Sequence, residues 1–168
     1  MAKTLIPKPL CSSSFAPYGD VIEVKGSTKK TTINHGQTIR YDDLARPDLT
    51  DQNGWPVFSI FRSEATHLPL QILFMERHPL GSQTFMPLSE FSYLVAVAPP
   101  GELDTSAIEL FLAEPGQGVN YHKGTWHHYC LALNSGSEFL VLDRGGNGHN
   151  CDEVKIKDGP LLKLEDGT

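Results

Sequence analysis

Apolar and polar residues alternate over short runs along most of this chain, and glycine or proline separates the runs. Val21–Val24, Val57–Arg62, Gln71–His78, Thr84–Leu88, Phe91–Ala98, Ile108–Ala113, Thr125–Leu133 and Phe139–Asp143 read as strands. From Val57 onward their starts lie about 7–17 residues apart with turn signals between, which favours a sandwich or small barrel. Ser12–Tyr18 reads as one short helix ended near Gly19, and Tyr41–Ala45 as a helical turn. No long amphipathic helix, internal repeat or low-complexity segment is evident, so residues 1–168 read as one domain. Asp48–Gly54 reads as a polar loop, Gly145–Gly148 as a flexible turn, and the segment beyond Cys151 as a mostly polar tail.

Side chains alternate faces along a strand. In Gln71–His78, Ile72, Phe74, Glu76 and His78 therefore share a face, the pattern of an interior that turns polar near its mouth. Leu73 and Met75 make the other face apolar too, and a partner subunit is one way to cover it. On Val57–Arg62 the same alternation groups Arg62 with Phe58 and Ile60, so Arg62 is expected to reach inward.

Composition narrows the class. With 168 residues, 39% of them hydrophobic and 20% charged, the chain is a folded globular type. A net charge of −6 argues against a broad basic face for nucleic acid. Cys11, Cys130 and Cys151 are an odd, widely spaced set, which fits a reducing cytoplasm better than a disulfide framework. Met1–Leu10 lacks the apolar block of a signal peptide, and Tyr93–Pro100 is too short to span a bilayer. The expectation is a soluble cytoplasmic protein with no membrane partner.

The candidate chemistry lies in two segments. Glu76-Arg77-His78-Pro79-Leu80-Gly81-Ser82-Gln83 is the first, and Tyr121-His122-Lys123-Gly124-Thr125-Trp126-His127-His128 the second. Imidazole and carboxylate serve as proton carriers or as metal ligands. Trp126 reads as a packing anchor, Arg77 as a surface or interface residue, and Arg144 as a turn stabiliser. His35, His67 and His149 read as ordinary polar residues, and His128 as structural.

The spacing Glu-x-His-x4-Gln resembles the first motif of the cupin superfamily. Glu76 stands in its first His position, His78 in the second and Gln83 in the Glu position. His122-Lys123-Gly124-Thr125-Trp126-His127 resembles the second motif, with His replacing Pro; that register points His127 inward and His128 outward. Glu-Arg-His-Pro-Leu-Gly-x-Gln, Gly-x-Gly-Val-Asn-Tyr-His-x-x-x-Trp-His-His, Leu-Asp-Arg-Gly-Gly and Phe-x-x-Tyr-Gly-Asp-Val-Ile together resemble the ureidoglycolate lyases, from about Phe15 to Cys151.

The resemblance implies an all-β fold: a cupin-like, jelly-roll β-barrel with one or two short helices, assembled as a homodimer. It implies cleavage of (S)-ureidoglycolate to glyoxylate and urea in allantoin and purine nitrogen catabolism. That reaction needs a base at the hydroxyl, an acid at the leaving nitrogen and donors for the carboxylate. Glu76 or His78 is the expected base and His127 or His122 the expected acid. Gln83, Arg62, Arg40 and Tyr121 are the expected substrate-binding residues, although Tyr121 equally suits shaping the turn before the second motif. No organic cofactor is required. A divalent metal on Glu76, His78 and His127 stays open, with Ni²⁺ first and Zn²⁺ or Mn²⁺ next. The same ligand set admits a metal-dependent cupin oxygenase or isomerase acting on a small organic acid, and a non-enzymatic small-acid sensor ranks last.

Overall fold

Alternating apolar strands must bury at least one face, and here two sheets bury theirs against each other. The computed structural model describes residues 3–26 and 29–165, so both ends of the expected 1–168 domain lie outside the described residues. One sheet has five strands, in the order Gly19–Ile22, Gly118–Tyr121, Gln83–Pro87, Ser137–Gly145 and Trp55–Ser63. The larger runs Asp152–Lys155, Phe74–Arg77, Trp126–His127, Tyr93–Ala98, Glu109–Ala113 and Lys8–Pro9, with Leu131–Ala132 also paired to Tyr93–Ala98. Between them lies a core of Phe15, Val21, Phe85, Tyr93, Val95, Val97, Phe111, Val119, Phe139 and Val141.

The larger sheet is covered on its second face as well. Leu94, Ala96 and Ala98 point there and pack with Ile72, Met75, Trp126, Leu131, Ile156 and Leu162. A small sheet of Thr4–Leu5, Leu161–Leu162 and Leu70–Gln71 supplies part of the cover. This explains why Tyr93–Ala98 is apolar at every position: a strand buried on both faces has no polar side. It also corrects two expectations. Met75 is covered by this chain itself, although Leu73 remains exposed. The segment beyond Cys151 is no polar tail, because Asp152–Lys155 completes the sheet and Ile156 and Leu162 enter the core.

The architecture is all-β and cupin-like, with one four-residue α-helix, Ser12–Phe15, among the described residues. Among the described residues the hydrogen-bonded strand orders stay open, so these sheets form no closed barrel. Tyr41–Ala45 is not helical: Tyr41 ends a two-stranded hairpin of Lys30–Ile33 and Thr38–Tyr41, and Asp43 has a left-handed backbone at φ 61°. Gln71–His78 is not one strand either. It breaks at Ile72–Leu73, so Ile72 joins the second core rather than the face of Glu76. Thr125–Leu133 is split in the same way. Val97 pairs with His127 but Leu94 with Leu131, a slip of one residue. That bulge turns His127 toward the first core and Leu131 toward the second.

Candidate active site and metal centre

The ends of two neighbouring strands of the larger sheet, Phe74–Arg77 and Trp126–His127, carry the polar cluster. Glu76 and His127 are directly opposite on paired strands, so their side chains share a face. His78 follows at the end of Phe74–Arg77, its ring centroid 5.2 Å from that of His127. Ligand atoms of Glu76, His78 and His127, one from each, lie within 4.8 Å of one another. His78 Nδ1 is 2.6 Å from the carbonyl oxygen of Asn150, and His127 Nδ1 is 3.2 Å from that of His128. A carbonyl only accepts, so each Nδ1 carries the proton and each Nε2 keeps a lone pair. Both Nε2 atoms are buried without a partner. Histidines whose other ring nitrogen is held by a carbonyl are the usual arrangement for metal ligands, and the three residues fit a divalent ion.

Electrostatics follow from burial. Desolvation raises the Glu76 pKa; Glu153 and Asp143 push the same way, and His78 opposes them. Burial, with His78 and His128 adding to it, lowers the His127 pKa to about 3. His127 is therefore neutral near pH 7, and its 3.7 Å approach to Glu76 is not an ion pair. Tyr121 lies parallel to the His127 ring, 4.4 Å between centroids and 4° between planes, and fixes its orientation. His128 is buried as well, stacked on Phe74 at 4.8 Å, and burial lowers its pKa to about 4.

The facing sheet contributes a row of its own. Tyr121 is opposite Gln83, and Gln83 Nε2 donates to Asp143 Oδ1 at 2.7 Å on the next strand. Arg144, one residue on, is turned away from this row. Its guanidinium donates to the carbonyls of Asp51 (2.6 and 2.9 Å) and Asn147 (2.9 Å), pinning the loop around Asp51–Asn53 to the turn at Gly145–Gly148. Gly54 and Gly81 admit it: a Cβ at either would stand 2.4 or 2.7 Å from Arg144 atoms.

Other expected residues are not brought here. Arg62 is exposed and donates to Glu138, its cross-strand partner, at 2.6 Å. The inward face of Trp55–Ser63 is that of Ser59 and Phe61, opposite Val141 and Phe139; Phe58, Ile60 and Arg62 point out. Alternation defines two faces but does not say which is inward when both are apolar. Arg40 is exposed on the separate hairpin and pairs with Asp42 at 2.6 Å. His122 sits in the turn after Gly118–Tyr121, its Nε2 3.4 Å from Asp20, outside the cluster of three. Sequence reading missed Asn150, which orients His78, and Asp143, which holds Gln83. It also missed Cys151, whose Sγ lies 4.0 Å from Glu76 Oε2. Only the Leu-Asp-Arg-Gly-Gly run signalled any of them.

An all-β, two-sheet cupin-like fold with a carboxylate and two imidazoles at its strand ends defines a small-molecule enzyme of the cupin type. The chain matches the ureidoglycolate lyase family over residues 2–163 and belongs to it. It is 48% identical over 160 residues to a ureidoglycolate lyase of Burkholderia mallei, covering 95% of this chain and 94% of that protein. It is 44% identical over 164 residues to one from Pseudomonas syringae pv. syringae, covering 97% and 96%. For one from Pseudomonas entomophila the figures are 45% over 163 residues, 96% and 97%.

Proposed function

We propose that this protein cleaves (S)-ureidoglycolate to glyoxylate and urea, as a step in purine nitrogen breakdown through allantoin. The observation that carries the reading is the group Glu76, His78 and His127, with ligand atoms within 4.8 Å of one another and both imidazole Nε2 atoms buried without a partner. Ureidoglycolate has one carbon bearing hydroxyl, carboxylate and ureido nitrogen. Removing the hydroxyl proton forms the carbonyl as the carbon–nitrogen bond breaks, and the leaving nitrogen takes up a proton. Glu76 is the base: its carboxylate has two oxygens, so one would hold a divalent ion while the other takes the hydroxyl proton. His127, neutral at that pH, cannot serve as an imidazolium acid, so the proton that Glu76 takes is the one it returns to nitrogen. Gln83 and Tyr121 face the ureido side.

The cluster presents acceptors to an anionic substrate. Nearby cations are engaged elsewhere: Arg77 with Asp152 and the carbonyl of Gly101, Lys123 with Asp48 and Asp51, Arg144 with carbonyls. This supports a divalent ion held by Glu76, His78 and His127, with Ni²⁺ first and Zn²⁺ or Mn²⁺ next. Such an ion would supply Lewis-acid attraction for the substrate carboxylate and hydroxyl. A homodimer is supported by the outward face of the edge strand Trp55–Ser63, where Phe58 is 67% and Ile60 55% exposed. A cytoplasmic location fits the three free cysteines, and no described helix is long and apolar enough to cross a membrane.

The test is release of glyoxylate and urea from racemic ureidoglycolate by protein stripped with chelator and resupplied with Ni²⁺, Zn²⁺ or Mn²⁺. Equal release of both products is expected, restored by metal. Oxygen uptake without urea would replace the lyase with an oxygenase.

A further inference from the structure

A buried amide with one end bound and the other free has a direction, and Gln83 is such a group. Its Nε2 donates to Asp143 Oδ1 at 2.7 Å, while its Oε1 is buried without a partner. A carboxylate oxygen facing it leaves the amide no choice of orientation, since Oε1 there would oppose acceptor to acceptor. An acceptor buried unpaired costs stability until a donor reaches it. Gln83 stands in the row Tyr121–Gln83–Asp143, paired across the strands with the residue whose ring stacks on His127. It is not one of the three residues grouped as metal ligands, and an amide is a poor ligand beside carboxylate and imidazole.

We propose that Asp143 is a positioning residue that locks Gln83 with Oε1 as a fixed acceptor for a terminal ureido N–H, so that the site selects carbinolamines whose leaving group carries terminal N–H donors. The inference rests on the lyase reading above. In that substrate the carboxylate has no donor, the hydroxyl proton goes to Glu76 and the inner ureido nitrogen takes it up as it leaves, so the terminal N–H groups remain to satisfy Gln83. A site that must hydrogen-bond a donor rejects an analogue lacking it, because its own acceptor is then left unpaired.

The measurement is the ratio of kcat/KM for ureidoglycolate to that for its terminal N,N-dimethyl analogue. The unaltered protein is expected to favour ureidoglycolate by about tenfold or more. Gln83→Met, near in shape but without the acceptor, is expected to bring the ratio to within about threefold of unity. Asp143→Asn lets the amide at 83 invert and lowers the ratio in the same direction. The reciprocal exchange Gln83→Glu with Asp143→Asn keeps one amide donating to one carboxylate and restores an acceptor at 83, so the ratio should return. A role confined to folding would move stability and leave the ratio alone. Gln83→Met with the full preference overturns the proposal. Should that variant fail to fold, Asp143→Asn and the exchange decide on the same ratio, and an unchanged preference in Asp143→Asn overturns it. If the unaltered protein releases no glyoxylate and urea, the lyase reading falls and this inference with it; turnover with no preference overturns the inference alone.

Discussion

Replacing Arg144 with Met tests whether the rim of the site is held by a guanidinium clamp. Arg144 is 7% exposed, and its bonds go to two carbonyls, Asp51 and Asn147, with a longer one at 3.4 Å to Gln52. Gln52 and Asn53 adopt left-handed backbone at φ 50° and 57°, a conformation unfavourable for residues other than glycine, so this loop depends on what holds it. Met fills most of the stem volume but donates nothing. Each stranded carbonyl costs about 1–3 kcal/mol, toward the low end here because both belong to loops that admit water. Against that, Nη1 is itself buried without a partner, and removing it recovers about 1 kcal/mol. The net loss is about 1–2 kcal/mol, which for a chain of this size lowers Tm by roughly 2–8 °C. Thermal unfolding followed by circular dichroism measures it. Arg144→Lys should restore little, because an ammonium on a flexible stem does not match the planar fork. A Tm within about 1 °C of the unaltered protein would refute the clamp.

Glu76→Gln should lower kcat by about 10²–10⁴-fold with the fold intact, and retention of most activity removes Glu76 as the base. His78→Ala and His127→Ala should each abolish stoichiometric Ni²⁺ uptake in equilibrium dialysis; uptake equal to the unaltered protein would place the metal elsewhere. Phe139→Ala should cost about 3–5 kcal/mol in urea unfolding, since the ring is 1% exposed and packs edge-on to Tyr93 at 5.0 Å. At alkaline pH, burial pushes the Cys130 thiol up to about 12 from 9.0, against a smaller lowering by Ser63. The unfolded state then loses a proton above pH 9 that the native state keeps, so stability falls as pH rises from 9 toward 12. Cys130→Ala should flatten the decline of Tm between pH 8 and 10.5, and parallel profiles would contradict the assignment.

The two motif segments held the three residues that the fold brings together, because metal and acid–base sites use few residue types at short spacings. Glu76, His78 and His127 are sequence neighbours of strand ends, and local alternation carries them to one face. Gln83 lies in the first of these segments, and the fold puts it on the facing sheet opposite Tyr121. Arg62 and Arg40 were not legible: their fates depend on Glu138 and Asp42, and on which apolar face of Trp55–Ser63 meets the core. The break at Ile72–Leu73 and the bulge after His127 also escaped notice, since alternation reads through a one-residue slip that only pairing with another strand defines. Asp143 and Asn150 act through hydrogen bonds spanning 60 and 72 residues, and no local pattern announces such a contact.

By itself, then, the chain determined its all-β class, many of its core strands and the residue types that the fold groups at Glu76, His78 and His127, because alternation, turn residues and ligand chemistry are properties of short segments. The tertiary structure alone decided which face of each strand is buried, that the segment beyond Cys151 completes a sheet, and which histidines lose their charge. Those outcomes are set by long-range pairing and desolvation, which exist only once the two sheets have closed on each other.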